Sequence, residues 1–382
     1  MGYAGKWEKV RKAKKPSGKL VPQILPPIRI VKNMVPVFVR KLPDGSYIVD
    51  LGQNIAGWAL LKVEGPRGQE VVLKFGEMIN SDGSVNQKNL KSAAATDRYI
   101  LKGTGLETYE PRFTYHGFRY IQVENYPGEL TPDLVTGRVV SSDVEEISSF
   151  DCSEPLFRRI HNAMRWTLRS NLFSIPTDCP QRGERRGWLG DGQLTAEAYI
   201  HNYDMQFFYR KWLDDIRDVQ DEKTGQILYN MAPKSHRRPY LSVPWSVAYL
   251  VVPWNLFLYY DDITVLEDHY PFMVKSFQYL TSKEEDGLLP GVHAHGDWMA
   301  KEFTRQPQID NGFYLIAARI LAAVAEVLGF SDDHRTYTRK AESIAENYNR
   351  KFYSPNLYLV PPAGFYDSTP SVSYTHLTLP TN

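Results

Sequence analysis

The stretch TDCPQRGERRGWLGDGQ, Thr177 to Gln193, gathers the residue types that acid–base chemistry needs. Asp178, Glu184 and Asp191 alternate with Arg182, Arg185 and Arg186, and Trp188 stands among four glycines. Pro180 and that glycine content exclude a helix interior. The charge excludes a buried strand. The segment reads as an irregular loop that places side chains, the usual location of a site on a rigid scaffold. Carboxyls in unlike environments can divide a glycosidic cleavage between them: one stays protonated and protonates the leaving oxygen, the other stays ionised. Trp188 offers an apolar wall that raises a neighbouring carboxyl's pKa by desolvation, and the arginines can hold other carboxyls ionised. The same residues also fit plainer roles. Asp191, just before GQLTAEAY, can cap a helix, and the arginines can simply pair with the carboxylates. Cys179 has no organised His/Asn partner set and reads as a packed small residue rather than a nucleophile.

The elements that flank this loop differ on its two sides. Upstream, residues 35–146 carry short β-branched runs separated by turn signals at DG, GW and GPRG, which predict an antiparallel β-sandwich. Downstream, EPLFRRIHNAMRWTLRSNLF sets Leu156, Ile160, Met164 and Leu168 on one helical stripe. Further helices are expected near 192–203, 204–222, 245–260, 263–283, 307–328 and 333–353. NGFYLIAARILAAVAEVLGF is Ala-rich and apolar around most of its surface, as a buried helix would be. A β-sandwich followed by a stack of about seven helices is therefore the expected architecture. Residues 1–34, basic and then proline-bearing, read as a linker.

Composition bounds the function. The chain has 382 residues, long for one domain and comfortable for two. Lys+Arg 45 against Asp+Glu 44 leaves a net charge of +1, without the basic excess of a nucleic-acid binder. Aromatic residues make 13% of the chain, which suits stacking on sugar faces and a large aromatic core equally. The two cysteines, Cys152 and Cys179, form no CxxC or Cys/His cluster, so no structural zinc site is expected. His293 and His295 beside Asp297 are a weak metal signal, and His116 in FTYHGF reads as a packed residue of the sandwich or a domain contact. No apolar run is long enough for a transmembrane helix, and the N-terminus lacks an apolar signal core. There is no GxGxxG or Walker loop. The last twelve residues, SVSYTHLTLPTN, resemble a translated sequencing adapter, so residues 371–382 are expected to be foreign to the fold.

DCPQRGERRGWLGD closely resembles the signature of bacterial α-L-rhamnosidases of the glycoside hydrolase family 78 type, usually written DCPQRDERLGWTGD. PQILPPIRI, DLGQNIAGW, VEGPRGQEVVLKFGE, ATDRYILKGTGLETYEPRFTYHGFRYIQVE and HGDWMA match the same family in the same order, over nearly all of residues 5–370. The resemblance implies a concanavalin-like β-sandwich over 35–146 and the first half of an (α/α)6 toroid over 150–370. Residues 1–34 would be the end of a preceding domain with its linker. A start upstream of Met1 is implied too, which leaves cytoplasm, periplasm and secretion all open.

The implied reaction is hydrolysis of terminal non-reducing α-L-rhamnose with inversion, without cofactor or metal. Its partner is a rhamnose-containing glycoside, not nucleic acid or membrane. Residue by residue, Glu184 matches the general acid, and Asp178 and Asp191 match carboxylates that hold sugar hydroxyls. Arg182 matches an arginine that contacts sugar or carboxylate. Trp188, Trp245 and Trp298 match the walls of the rhamnose pocket, with Asp297 beside them. An inverting enzyme needs a second carboxylate about 6.5–9.5 Å from the acid. The family's base is a Glu beyond the last residue here, so the chain on its own is expected to be inactive. This sequence departs from the pattern at Gly183, where Asp is usual, at Arg186 for Leu and Leu189 for Thr, and at WSVA for WGDA, which leaves Val247 without a carboxylate. Two other readings stand beside this one: another inverting (α/α)6 hydrolase, and a non-catalytic carbohydrate-binding protein, against which the retained Glu184 argues.

Overall fold

A period of two in the packing marks the strands of the first half of the chain. Val71, Leu73 and Phe75 all face a core while their neighbours do not share that packing. The computed structural model describes residues 8–14, 18–234, 240–291, 298 and 304–352. Its strands are β1 (Ile28–Met34), β2 (Phe38–Lys41), β3 (Tyr47–Val63), β4 (Glu70–Gly76), β5 (Met78–Ile79), β6 (Val85–Asn86), β7 (Thr96–Ile100), β8 (Glu107–Tyr109), β9 (His116–Glu124) and β10 (Val135–Ser142). The order β1-β10-β3-β9-β4-β7, with β2 and β8 also paired to β3, makes one eight-stranded sheet, and β5 and β6 form a separate hairpin.

The expected sandwich is thus built as one curled antiparallel sheet, and β3 is the reason. Its first residues pair with β2, while Leu61 to Val63 pair with β8. Its ladder with β9 shifts register between Asp50 and Ile55, and such a bulge bends the strand. Val49, Leu51, Leu61, Phe118 and Ile121 fill the enclosed core. One boundary moves. Residues 28–34, the end of the 1–34 segment read as linker, form β1 and pair antiparallel with β10 from Ile28↔Ser142 to Met34↔Gly137. The sheet therefore begins upstream of residue 35, because pairing with β10 outweighs the weak local pattern.

The second half is helical: α1 (Pro155–Arg169), α2 (Leu189–Asn202), α3 (Gln206–Asp218), α4 (Val243–Ser246), α5 (Ala248–Tyr260), α6 (Ile263–Thr281), α7 (Gln306–Val327) and α8 (Ser331–Phe352). The single helix expected over 245–260 is split at Val247, which ends α4 and caps α5. Trp212, Tyr209, Tyr249, Phe208 and Tyr314 are fully buried in this half's core. The stripe on α1 is only partly used: Leu168 is buried, whereas Leu156 and Ile160 are 53% and 56% exposed. The Ser142 amide donates to Leu172 O at 2.7 Å, and Tyr115 stacks on Phe173 at 3.8 Å, so sheet and helices are joined directly. Among the described residues no helix is long and apolar enough to cross a membrane.

Candidate active site

The loop between Thr177 and Trp188 is closed on itself by Asp178. Its backbone N–H donates to Arg186 O at 3.0 Å, and its Oδ1 accepts from the Arg186 N–H at 2.7 Å. Oδ2 accepts from Arg182 Nη2 at 3.1 Å, and the side chain is 3% exposed. Both oxygens of Asp178 are therefore engaged within the loop. Arg185 turns the other way. It adopts φ 57, donates from Nη1 to Tyr115 O at 2.7 Å and lies 4.5 Å over the Tyr115 ring. A cation on an aromatic face is attracted by the ring quadrupole. Of the three arginines, this one anchors the loop to the sheet. Past Gly187, Trp188 bridges to Met231, and the Leu189 N–H donates to Asn230 O at 2.9 Å.

Glu184 sits where these constraints converge. Its Oε1 accepts from Trp188 Nε1 at 3.1 Å, and its Oε2 from Arg182 Nε at 3.0 Å and from Lys91 Nζ at 3.2 Å. The carboxylate is 17% exposed. Burial pushes its pKa up, but the hydrogen bonds from Arg182, Lys91 and Trp188 outweigh burial and hold it below the usual range. Asp191 behaves in the opposite sense. Burial, with the charges of Asp178 and Glu184 adding to it, pushes its pKa up to about 6. The two carboxyls are driven apart, so in the free protein Asp191 keeps its proton to higher pH than Glu184. Asp191 is not the helix cap its position allowed. Trp188 occupies the cap, and Asp191 lies in the first turn of α2, where the helix dipole favours negative charge.

Trp245, on α4, closes the floor: a Cβ at Gly190 would lie 2.4 Å from its indole, so ring and first turn of α2 are in contact. Trp188, bonded to Glu184, and Trp245, against Gly190, are both buried. Val247 is fully buried at the α4–α5 junction, so the missing carboxylate would have stood in the core. Cys179 and Cys152 are free thiols, and burial pushes Cys179 up to about 11, as a packed residue. His116 is buried in the sheet, bonded to Asp97 at 2.9 Å and stacked on Phe75. Trp298 is 61% exposed, while Asp297, His293 and His295 lie outside the described residues, as do residues 371–382. No group of three His, Cys, Asp or Glu that could hold a metal occurs among the described residues.

A profile of the bacterial α-L-rhamnosidase six-hairpin glycosidase domain matches residues 145–375, and one of the bacterial α-L-rhamnosidase concanavalin-like domain matches residues 40–141. The chain belongs to the bacterial α-L-rhamnosidase family. An α-L-rhamnosidase of Streptomyces avermitilis is 37% identical over 81% of this chain and 30% of the relative. The structure of α-L-rhamnosidase from Dictyoglumus thermophilum superposes with TM-score 0.84 at 40% identity, over 90% of this chain and 39% of that one. The Streptomyces avermitilis α-L-rhamnosidase complexed with L-rhamnose gives TM-score 0.84 at 35% identity, over 88% of this chain and 32% of that one. The rhamnosidase-like chain spans about a third of the length of these relatives.

Within this rhamnosidase fold, sequence reading identified the loop but missed Lys91, Ser92 and Tyr115, which come from the sheet. The single usable signal was Gly183. Where a family signature loses a side chain, something else can fill its space. Here that is Ser92, whose Oγ lies 2.1 Å from where a Gly183 Cβ would be.

Proposed function

We propose that the whole enzyme of which this chain forms part hydrolyses terminal non-reducing α-L-rhamnosides with inversion, and that Glu184 is the general acid. What supports this reading is the place of Glu184 in the signature loop, where Trp188, Arg182 and Lys91 converge on a carboxylate that is still 17% exposed and so within reach of a sugar. A general acid must hold a proton when the glycosidic oxygen leaves. Before substrate arrives, Glu184 is ionised and hydrogen-bonded. A sugar entering against it excludes water and competes with the exposed Lys91 ammonium for Oε2. Both changes push the carboxyl's pKa up, toward the range a general acid needs. Asp191, raised to about 6, carries a proton over part of the weakly acid range and can donate to a sugar hydroxyl. Trp188 and Trp245 supply apolar surface against which the C6 methyl of rhamnose can lie. Arg182 holds Asp178 and Glu184 in one geometry. The base that activates water is assigned to no residue of this chain, and the chain without it is expected to be inactive.

The test is hydrolysis of a rhamnose-containing disaccharide and of an aryl α-L-rhamnoside by the full-length enzyme, beside Glu184→Gln. The expected loss on the disaccharide is about 10²–10⁴-fold, the usual contribution of a general acid. The loss on the aryl substrate is smaller, because its leaving group needs less protonation. A parent that ignores rhamnosides yet cleaves other aryl glycosides would replace the substrate assignment. A Gln variant with parental rates on the disaccharide would remove Glu184 as the acid.

A further inference from the structure

The loop from Gln87 to Ala95, on the sheet domain, is built to a fixed shape that carries Lys91. Leu90 is buried in the sheet core and plants it. Gln87 Nε2 donates to Phe75 O at 3.0 Å and to Ala95 O at 2.9 Å, and Asn89 Nδ2 donates to Glu77 Oε2 at 2.8 Å. Between these ties Lys91 is held at φ 53, a left-handed conformation that disfavours any residue with a Cβ. The strain is maintained by the surrounding bonds and directs the Lys91 side chain across the domain boundary to Glu184, Nζ to Oε2 3.2 Å.

Gly183 lets the loop pack this close without displacing Ser92. The Gly183 N–H donates to Leu90 O at 3.1 Å, so the backbones of sheet loop and carboxylate loop are bonded to each other. A Cβ at 183 would lie 2.1 Å from Ser92 Oγ and 3.1 Å from Ala93 N. The aspartate usual in the signature would therefore require the Ser92 hydroxyl to turn away and the Ser92–Ala93 backbone to give by a few tenths of an ångström.

We propose that Lys91 is a positioning residue supplied by the β-sheet domain, that its ammonium orients Glu184 and sets the pH at which that carboxyl ionises, and that the Gly183–Ser92 contact keeps it in reach. The proposal rests on reading Glu184 as the acid. The other groups facing Glu184 are Arg182 and Trp188 of its own loop, Asp178 at the start of that loop and Asp191 on α2. Lys91 is the donor from another domain, and its side chain is 62% exposed, so a sugar oxygen can displace it without opening the loop. Without it, burial of Glu184 is opposed by two donors in place of three, and the carboxyl ionises at higher pH.

The measurement is a pH titration of the Trp188 indole ¹H–¹⁵N resonance in tryptophan-labelled chain, assigned with Trp188→Phe. That N–H donates to Glu184 Oε1 and reports the charge on the carboxylate. Lys91→Met is expected to move the midpoint up by about half a pH unit, as a half-exposed ion pair would. Lys91→Arg is expected to restore it. Gly183→Ala, which presses the loops apart, should shift it the same way as Lys91→Met. A midpoint unmoved in both Lys91→Met and Gly183→Ala, in proteins with parental circular dichroism, overturns the proposal. Because this readout needs no turnover, it separates failure of the Lys91 role from failure of Glu184 as the acid, which the disaccharide assay tests alone.

Discussion

Replacing Gly192 by alanine sets two effects of opposite sign against each other. Gly192 lies inside α2, where glycine is worth about 1 kcal/mol less than alanine for helix formation, so propensity alone predicts a more stable protein. The tertiary surroundings predict the reverse. The new methyl would lie 2.2 Å from Trp212 Cη2, 2.9 Å from Cζ2 and 3.0 Å from Cζ3. Trp212 is fully buried and its indole donates to Ala232 O at 3.2 Å, so the ring cannot retreat without losing that bond. Overpacking of this kind costs about 1–3 kcal/mol. A ring pinned on one side belongs at the upper part of that range, which leaves a net destabilisation of about 1–2 kcal/mol after the helix gain. The disturbance also reaches the site, since the Ala232 N–H donates to Gly187 O beside Trp188. Urea denaturation followed by circular dichroism, on the parent, Gly192→Ala, Trp212→Phe and the double variant, measures it. The smaller phenyl ring makes room for the methyl, so the double variant should be more stable than the sum of the single losses by about 1 kcal/mol. A Gly192→Ala protein as stable as the parent, or more so, would show that the ring is not pinned and would refute the reasoning.

Other consequences concern titration and reactivity. Asp191 is raised to about 6, above its value in the unfolded chain, so folding binds its proton. The stability it contributes is complete below about pH 4 and is lost as pH rises through about 6. Asp191→Asn is therefore expected to be more stable than the parent at pH 7, by about 2–3 kcal/mol, with the gap closing toward pH 4. A gap independent of pH would exclude this ionisation. Cys179, pushed up to about 11 and buried, should resist a thiol reagent at pH 8 until the protein unfolds, while the more exposed Cys152 reacts at once. Two thiols of equal rate in the native protein would contradict that placement.

Much of the architecture was legible because periodicity is a local property. The Ala-rich run that became α7 could bury most of its surface only as a helix in a core, and α2, α3, α6 and α8 fell close to their expected ranges. The loop was legible as far as Trp188, because Pro180 and the alternating charges act within their own segment, but Leu189–Gln193, read as part of the same loop, form the first turns of α2 despite Gly190 and Gly192. What failed was non-local. Residues 28–34 gained their strand from β10, more than a hundred positions away in the chain. Val247 sits in the core, a placement that depends on how neighbouring elements pack, whereas the bonds of Asp178 to Arg182 and Arg186 are local to the loop, a pairing the sequence already offered.

The sequence by itself determined the residue types of the site, their order in one loop and the family to which that loop belongs. Only the tertiary structure decided the charge state of each carboxyl, because a pKa depends on burial and on cations brought from elsewhere. Glu184 is held low in part by Lys91, which arrives from the sheet domain through the gap that Gly183 leaves open. Asp191, in the same loop sequence, is raised because the helices bury it.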